Sequence, residues 1–173
     1  KAEKTLYDLL LTDTYYQECI VNARENLDVI CSNERLFPAE IMMSKHKDRE
    51  TFLQRKLNEL NGYDFLMIDC APSMNLLNQN ALMISDELFV PVSMEYLSLV
   101  GVKQLLKNIK MLNKIFGKDI NISKVVPTFF DKRNKKSKVV LDSLERVFPD
   151  NVATPIRTSV ALSEAPGYKM TIF

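Results

Sequence analysis

The segment Tyr63–Ser73, YDFLMIDCAPS, decides how the rest of the chain is read. Its apolar run is led in by Gly62, ends at Asp69 and is closed by a turn at Pro72. An apolar run this short, bracketed by Gly and Pro, predicts a strand buried on both faces. Asp69 then stands at the carboxyl end of a core strand, the edge where open α/β sheets bind their ligands. An acid there has two readings. It faces a magnesium ion through water, as in nucleotide-hydrolysing α/β proteins, or it caps the helix that follows.

Upstream of this segment, Gly62 ends an amphipathic helix predicted over Asp48–Leu60, with Phe52, Leu53, Leu57 and Leu60 at helical spacing. Before it the pattern predicts short helices over Thr5–Leu11 and Tyr15–Val21, then a turn at Asn22–Asn26. A strand over Leu27–Cys31 follows, then a helix over Phe37–Ser44 with Pro38 at its start. Downstream come a helix over Asn75–Ile84, a strand over Glu87–Val92 and a long helix over Leu97–Phe116 stopped by Gly117. A strand over Lys124–Phe129, a helix over Lys136–Val147 and a strand over Val152–Ile156 complete the series. Alternation of this kind predicts an α/β fold in three layers, a mostly parallel sheet between helices. Near-continuous apolar strands suit parallel pairing, because both faces are covered. Asp69, Val92, Thr128 and Ile156 then line one rim, the expected ligand edge.

Length and composition predict one soluble globular domain over residues 1–173, with 46% hydrophobic and 26% charged residues. The formal net charge of +1 selects neither nucleic acid nor membrane, so any basic surface is local. Cys19, Cys31 and Cys70 are odd in number and scattered, without disulfide or zinc spacing, which suits a reducing cytosol. No apolar run reaches membrane-spanning length. His46 is the only histidine, which excludes a His-based dyad or a multi-histidine metal site.

From about Thr5 to the last residue, and most closely from Tyr63 to Leu106, the chain resembles the ParA family of plasmid and chromosome partition ATPases, deviant-Walker P-loop proteins related to MinD. The landmarks are Asp69, Pro72, Ser73, Asn80, Ala81, Leu82, Asp86, Pro91, Val92, Glu95, Tyr96 and Gly101. Two more blocks, Pro127–Leu141 and Ile156–Pro166, follow in the family's order. A phosphate loop needs closely spaced glycines before Lys-Ser/Thr. Gly62, Gly101, Gly117 and Gly167 are the only glycines and form no such loop. The resemblance therefore places the family's phosphate loop, first helix and second strand upstream of Lys1. It makes this chain the carboxyl-terminal two-thirds of the ATPase domain, a fragment expected not to hydrolyse ATP alone.

The resemblance also implies roles. Asp69 is the catalytic acid that orients the water shell of Mg beside the terminal phosphates of ATP. Pro72 and Ser73 belong to the switch segment, although Ala71 replaces the family's first proline and loosens that turn. Thr128, Phe129, Ile156, Arg157 and Thr158 border the nucleotide; Phe129 reads equally as core, and Arg157 as a DNA contact. Lys132, Arg133, Lys135, Lys136 and Lys138 crowd eight residues, 131–138. Such a run is usually a solvated helix start. Lysines at a helix amino terminus oppose its dipole, however, and ParA relatives bind non-specific DNA through basic residues of their carboxyl-terminal half. No aromatic is interleaved, so duplex backbone is the better partner than single strands. Glu95, Tyr96 and Gly101 match a block near the dimer interface, where Val100 replaces a frequent acid. Implied overall are an ATP-bound homodimer, a ParB-type partner, no membrane and a cytoplasmic, nucleoid-associated location. The alternatives are a naturally loop-less binding module and a MinD-like positioning protein.

Overall fold

A computed structural model describes residues 2–172. The chain divides into two compact units between Ser85 and Asp86.

The first unit opens with α1 (Leu6–Leu11). The Asp8 carboxylate accepts from both the backbone N–H and the hydroxyl of Thr5, each at 2.9 Å, which closes the helix start. Next come α2 (Tyr16–Cys19) and an antiparallel hairpin of β1 (Ile20–Arg24) and β2 (Leu27–Ile30). The predicted helix to Val21 and turn at 22–26 are therefore displaced. β-Branched Ile20 and Val21 pair with Ile30 and Val29 instead, and Asn26 takes the turn with a φ of 58°. Helix α3 (Leu36–Met43) leads to a 3₁₀ turn (Arg49–Thr51) and to α4 (Phe52–Lys56), which together replace the long helix predicted over 48–60.

A side chain breaks that helix. Asn80, on α5 (Leu76–Ile84), is buried; its Oδ1 accepts from Leu53 N–H at 3.1 Å while Nδ2 donates to Arg49 C=O at 2.8 Å. Arg49 C=O and Leu53 N–H are the pair an α-helix would join directly, so the amide is inserted into the ladder. Leu10, Met43, Leu53 and Leu76 form the core between these helices, and Leu9, Tyr16 and Cys19 form a second cluster beside it.

The strand predicted over Tyr63–Asp69 is not formed. The run is irregular, with Phe65 and Met67 each 87% exposed. A strand buried on both faces needs a ladder neighbour and a covering layer. Among the described residues, no backbone hydrogen bond is made by residues 64–70.

In the second unit, β3 (Leu88–Ser93) and β4 (Ile122–Thr128) pair in parallel, joined by α6 (Tyr96–Phe116). Gly117 ends α6 in the left-handed region, φ 62°, a conformation a side chain resists. Helix α7 (Lys135–Val147) returns the chain to residues 152–157, which run parallel to β4 through isolated bridges at Val125–Val152 and Phe130–Arg157. The predicted last strand is thus present as contacts rather than a full ladder, because Pro155 supplies no N–H. Helix α8 (Val160–Glu164) follows. Val90, Val92, Met94, Val102, Val125, Val140 and Leu144 form the core. On β3 only alternate residues are buried and Phe89 is 54% exposed, so this strand is covered on one face rather than two.

Candidate functional site

Parallel pairing in the second unit brings three strand ends to one edge. Met94 N–H donates to Thr128 C=O at 3.2 Å, Phe130 N–H to Ile156 C=O at 3.0 Å, and Ile156 N–H to Pro127 C=O at 2.8 Å. Thr128, Phe129, Ile156, Arg157 and Thr158, the predicted nucleotide-bordering residues, are therefore neighbours on this rim. Thr128 is half-buried, whereas Ile156, Arg157 and Thr158 are exposed. Phe129 and Phe130 part company. Phe130 packs on the core; Phe129 is 66% exposed and holds a φ of 54°. An aromatic residue in the left-handed region is rare, and such positions gather at ligand sites.

The basic segment follows at once. Arg133 forks onto Asp131, Nε and a terminal nitrogen each 3.1 Å from carboxylate oxygens, and its guanidinium holds the Asp131 carboxyl below its ordinary range. Asn134 caps α7 by accepting from Lys136 N–H at 2.9 Å. Lys132, Lys135 and Lys138 are exposed and make no ion pair among the described residues. Lys136 Nζ lies 2.6 Å from the carboxylate of Glu95, the residue that precedes α6.

Asp69, Pro72 and Ser73 belong to the first unit. All three are exposed. Asn78 Nδ2 donates to the carbonyls of Ala71 and Ser73, which tethers residues 71–73 to α5. Two groups cap the start of α5: Asn75 Oδ1 accepts from Asn78 N–H at 2.9 Å, and Glu40 from Leu76 N–H at 2.7 Å. Among the described residues no three acids, cysteines or histidines gather to hold a metal. A lone exposed carboxylate fits Mg that keeps its waters and is held chiefly by phosphates. Beside it, partial desolvation and then the Asp69 charge push the thiol of the otherwise exposed Cys70 up from its ordinary value.

Sequence reasoning passed over Asn78 and the Glu95–Lys136 pair, and it quoted Asn80 without a role. The three asparagines at 75, 78 and 80 within one helix start were the available signal, since asparagine is a poor helix former unless its amide is used.

A family profile described as an AAA domain matches residues 1–122. The sporulation initiation inhibitor protein Soj of Bacillus subtilis is 37% identical over 170 residues, covering 96% of this chain and 67% of its own length. The chain belongs to the ParA family of partition ATPases. The chromosome partitioning protein ParA of Caulobacter vibrioides is 33% identical, covering 95% of the chain and 63% of its own length. This ParA-family chain thus spans about two-thirds of the length of such relatives, between 63% and 67%. Cobyrinic acid a,c-diamide synthase from Mycobacterium smegmatis, solved with an ATP analog and magnesium, superposes with a TM-score of 0.82 at 28% identity. It covers 100% of this chain, which spans 78% of it. An McdA–ATP complex from Cyanothece shares the fold, with a TM-score of 0.88 at 18% identity over 99% of the chain and 69% of its own. The fold is accordingly α/β of the P-loop NTPase type. No helix among the described residues is long and apolar enough to cross a membrane.

Proposed function

We propose that the protein is a partition ATPase that uses ATP and magnesium to form a homodimer which holds DNA without sequence preference. In this reading Asp69 orients magnesium-bound water, Pro72 and Ser73 sense the terminal phosphate, and Thr128, Phe129, Ile156 and Thr158 border the base. Lys132, Arg133, Lys135, Lys136 and Lys138 contact duplex phosphates, joined by Arg157, whose backbone lies beside Phe130 at the head of the basic run. A ParB-type partner stimulates slow hydrolysis and releases the DNA, and the protein works in the cytoplasm at the nucleoid. The single observation that carries the reading is the rim itself, where the predicted base-bordering residues converge and the cationic segment begins at Lys132, directly after Phe130 and Asp131.

The test is duplex binding by the full-length protein with and without ATP and magnesium across a salt series. Binding only with nucleotide, falling steeply with salt, is expected. Nucleotide-independent or salt-insensitive binding would defeat the reading. Residues 1–173 alone contain no phosphate loop and should release no phosphate from ATP beyond their Asp69→Ala variant. Clear release above that variant would show that another phosphate cradle exists.

A further inference from the structure

Of the basic segment's cations, Lys136 alone among the described residues has its ammonium on a carboxylate from outside the segment. Glu95 lies 41 residues earlier in sequence, immediately before α6, and its Oε2 is 2.6 Å from Lys136 Nζ. Arg133 pairs within its own turn and keeps a side chain 87% exposed, so its partner leaves most of the guanidinium available. Lys132, Lys135 and Lys138 are unpaired among the described residues. The five cations are therefore not equivalent.

Lys136 is the second residue of α7, where the helix dipole disfavours a positive charge. It needs an anion nearby, and a carboxylate and a DNA phosphate satisfy the same three donors. Glu95 has the opposite situation, a negative charge at the start of α6 that its helix favours without any help from lysine. The two side chains are 54% and 63% exposed. Exposed pairs of this kind hold weakly, so exchange of one anion for another costs little, unlike the opening of a buried pair.

We propose that Glu95 is an intramolecular counter-anion that occupies Lys136 and withholds it from duplex DNA. The duplex-binding surface then reaches its full charge only when this contact opens. Glu95 follows β3 at the ligand rim, so the contact also ties that rim to the DNA surface through a single exchangeable bond. The inference rests on the reading of the basic segment as a duplex-binding surface.

The experiment is an anisotropy titration of a random-sequence duplex with the full-length protein, ATP and magnesium, over a range of salt. It compares wild type, Glu95→Gln, Lys136→Gln and the double variant. Glu95→Gln should bind more tightly and steepen the slope of log K against log salt by up to about 0.9, the limit set by one phosphate that Lys136 contacts only part of the time in the wild type. Lys136→Gln should bind more weakly, and adding Glu95→Gln to it should change nothing. A Glu95→Gln variant that binds like wild type overturns the proposal. So does one whose effect is the same in both backgrounds, because it then acts through dimerisation or folding rather than through Lys136. Duplex binding that responds to Lys136→Gln but not to Glu95→Gln removes only the counter-anion. Absence of duplex binding in the wild type removes the DNA surface and this inference together.

Discussion

Phe129 holds its backbone in the left-handed region while the residue is 66% exposed. The strain is not offset by burial. Asparagine tolerates this conformation without glycine's entropic penalty. Phe129→Asn is therefore expected to raise stability by about 0.5–1 kcal/mol in urea denaturation. A lower midpoint would mean that ring packing outweighs the backbone strain. Asn80 is the opposite case. Its buried amide bridges Arg49 and Leu53 and also donates to Leu76 C=O at 2.9 Å. Asn80→Ala strands these backbone groups and should cost about 2–3 kcal/mol by the same measurement. The sequence marks residue 80 only as a family landmark. Its physical task became visible with the partner groups, which lie 27 and 31 residues away.

Among the elements, α1 depends on Asp8. The Thr5 backbone N–H, its hydroxyl and the nearby Arg35 guanidinium hold the Asp8 carboxyl below its ordinary value of 3.8. A carboxyl depressed in the folded state stabilises it fully above the unfolded value, and that contribution fades as pH falls through the folded one. Stability should thus decline below about pH 4 through this group. Asp8→Asn should flatten that part of the acid limb in a pH series of urea midpoints. Helices α5, α6 and α7 and strands β3 and β4 were legible from spacing alone, because their apolar periodicity coincides with their packing. Of the hairpin, the turn and β2 were legible and β1 was not: Ile20 and Val21 read as the end of a helix, and only their pairing with Ile30 and Val29 makes them a strand. The break between the 3₁₀ turn and α4 was hidden for another reason: it is imposed from α5, far along the chain.

At the scale of the whole molecule, the α/β architecture and the family were readable because the motifs of the ligand edge keep their order from Asp69 to Pro166. The rim residues of the second unit come together as expected. Asp69 was legible as a candidate by residue type, yet its strand was not realised, since a strand is a property of its neighbours as much as of its own side chains. The apolar run that should be sheathed is instead open at Phe65 and Met67. Exposed apolar chain of this kind is a docking or aggregation surface.

The unpaired run has a kinetic consequence. Its amides lack the ladder that shields β3, so solvent deuterium should reach them without any opening of the fold. Mass-resolved exchange on residues 1–173 should label 64–70 within seconds and Leu88–Ser93 far later. Comparable slow uptake in both stretches would mean that the Tyr63–Asp69 chain has found a backbone partner in solution after all.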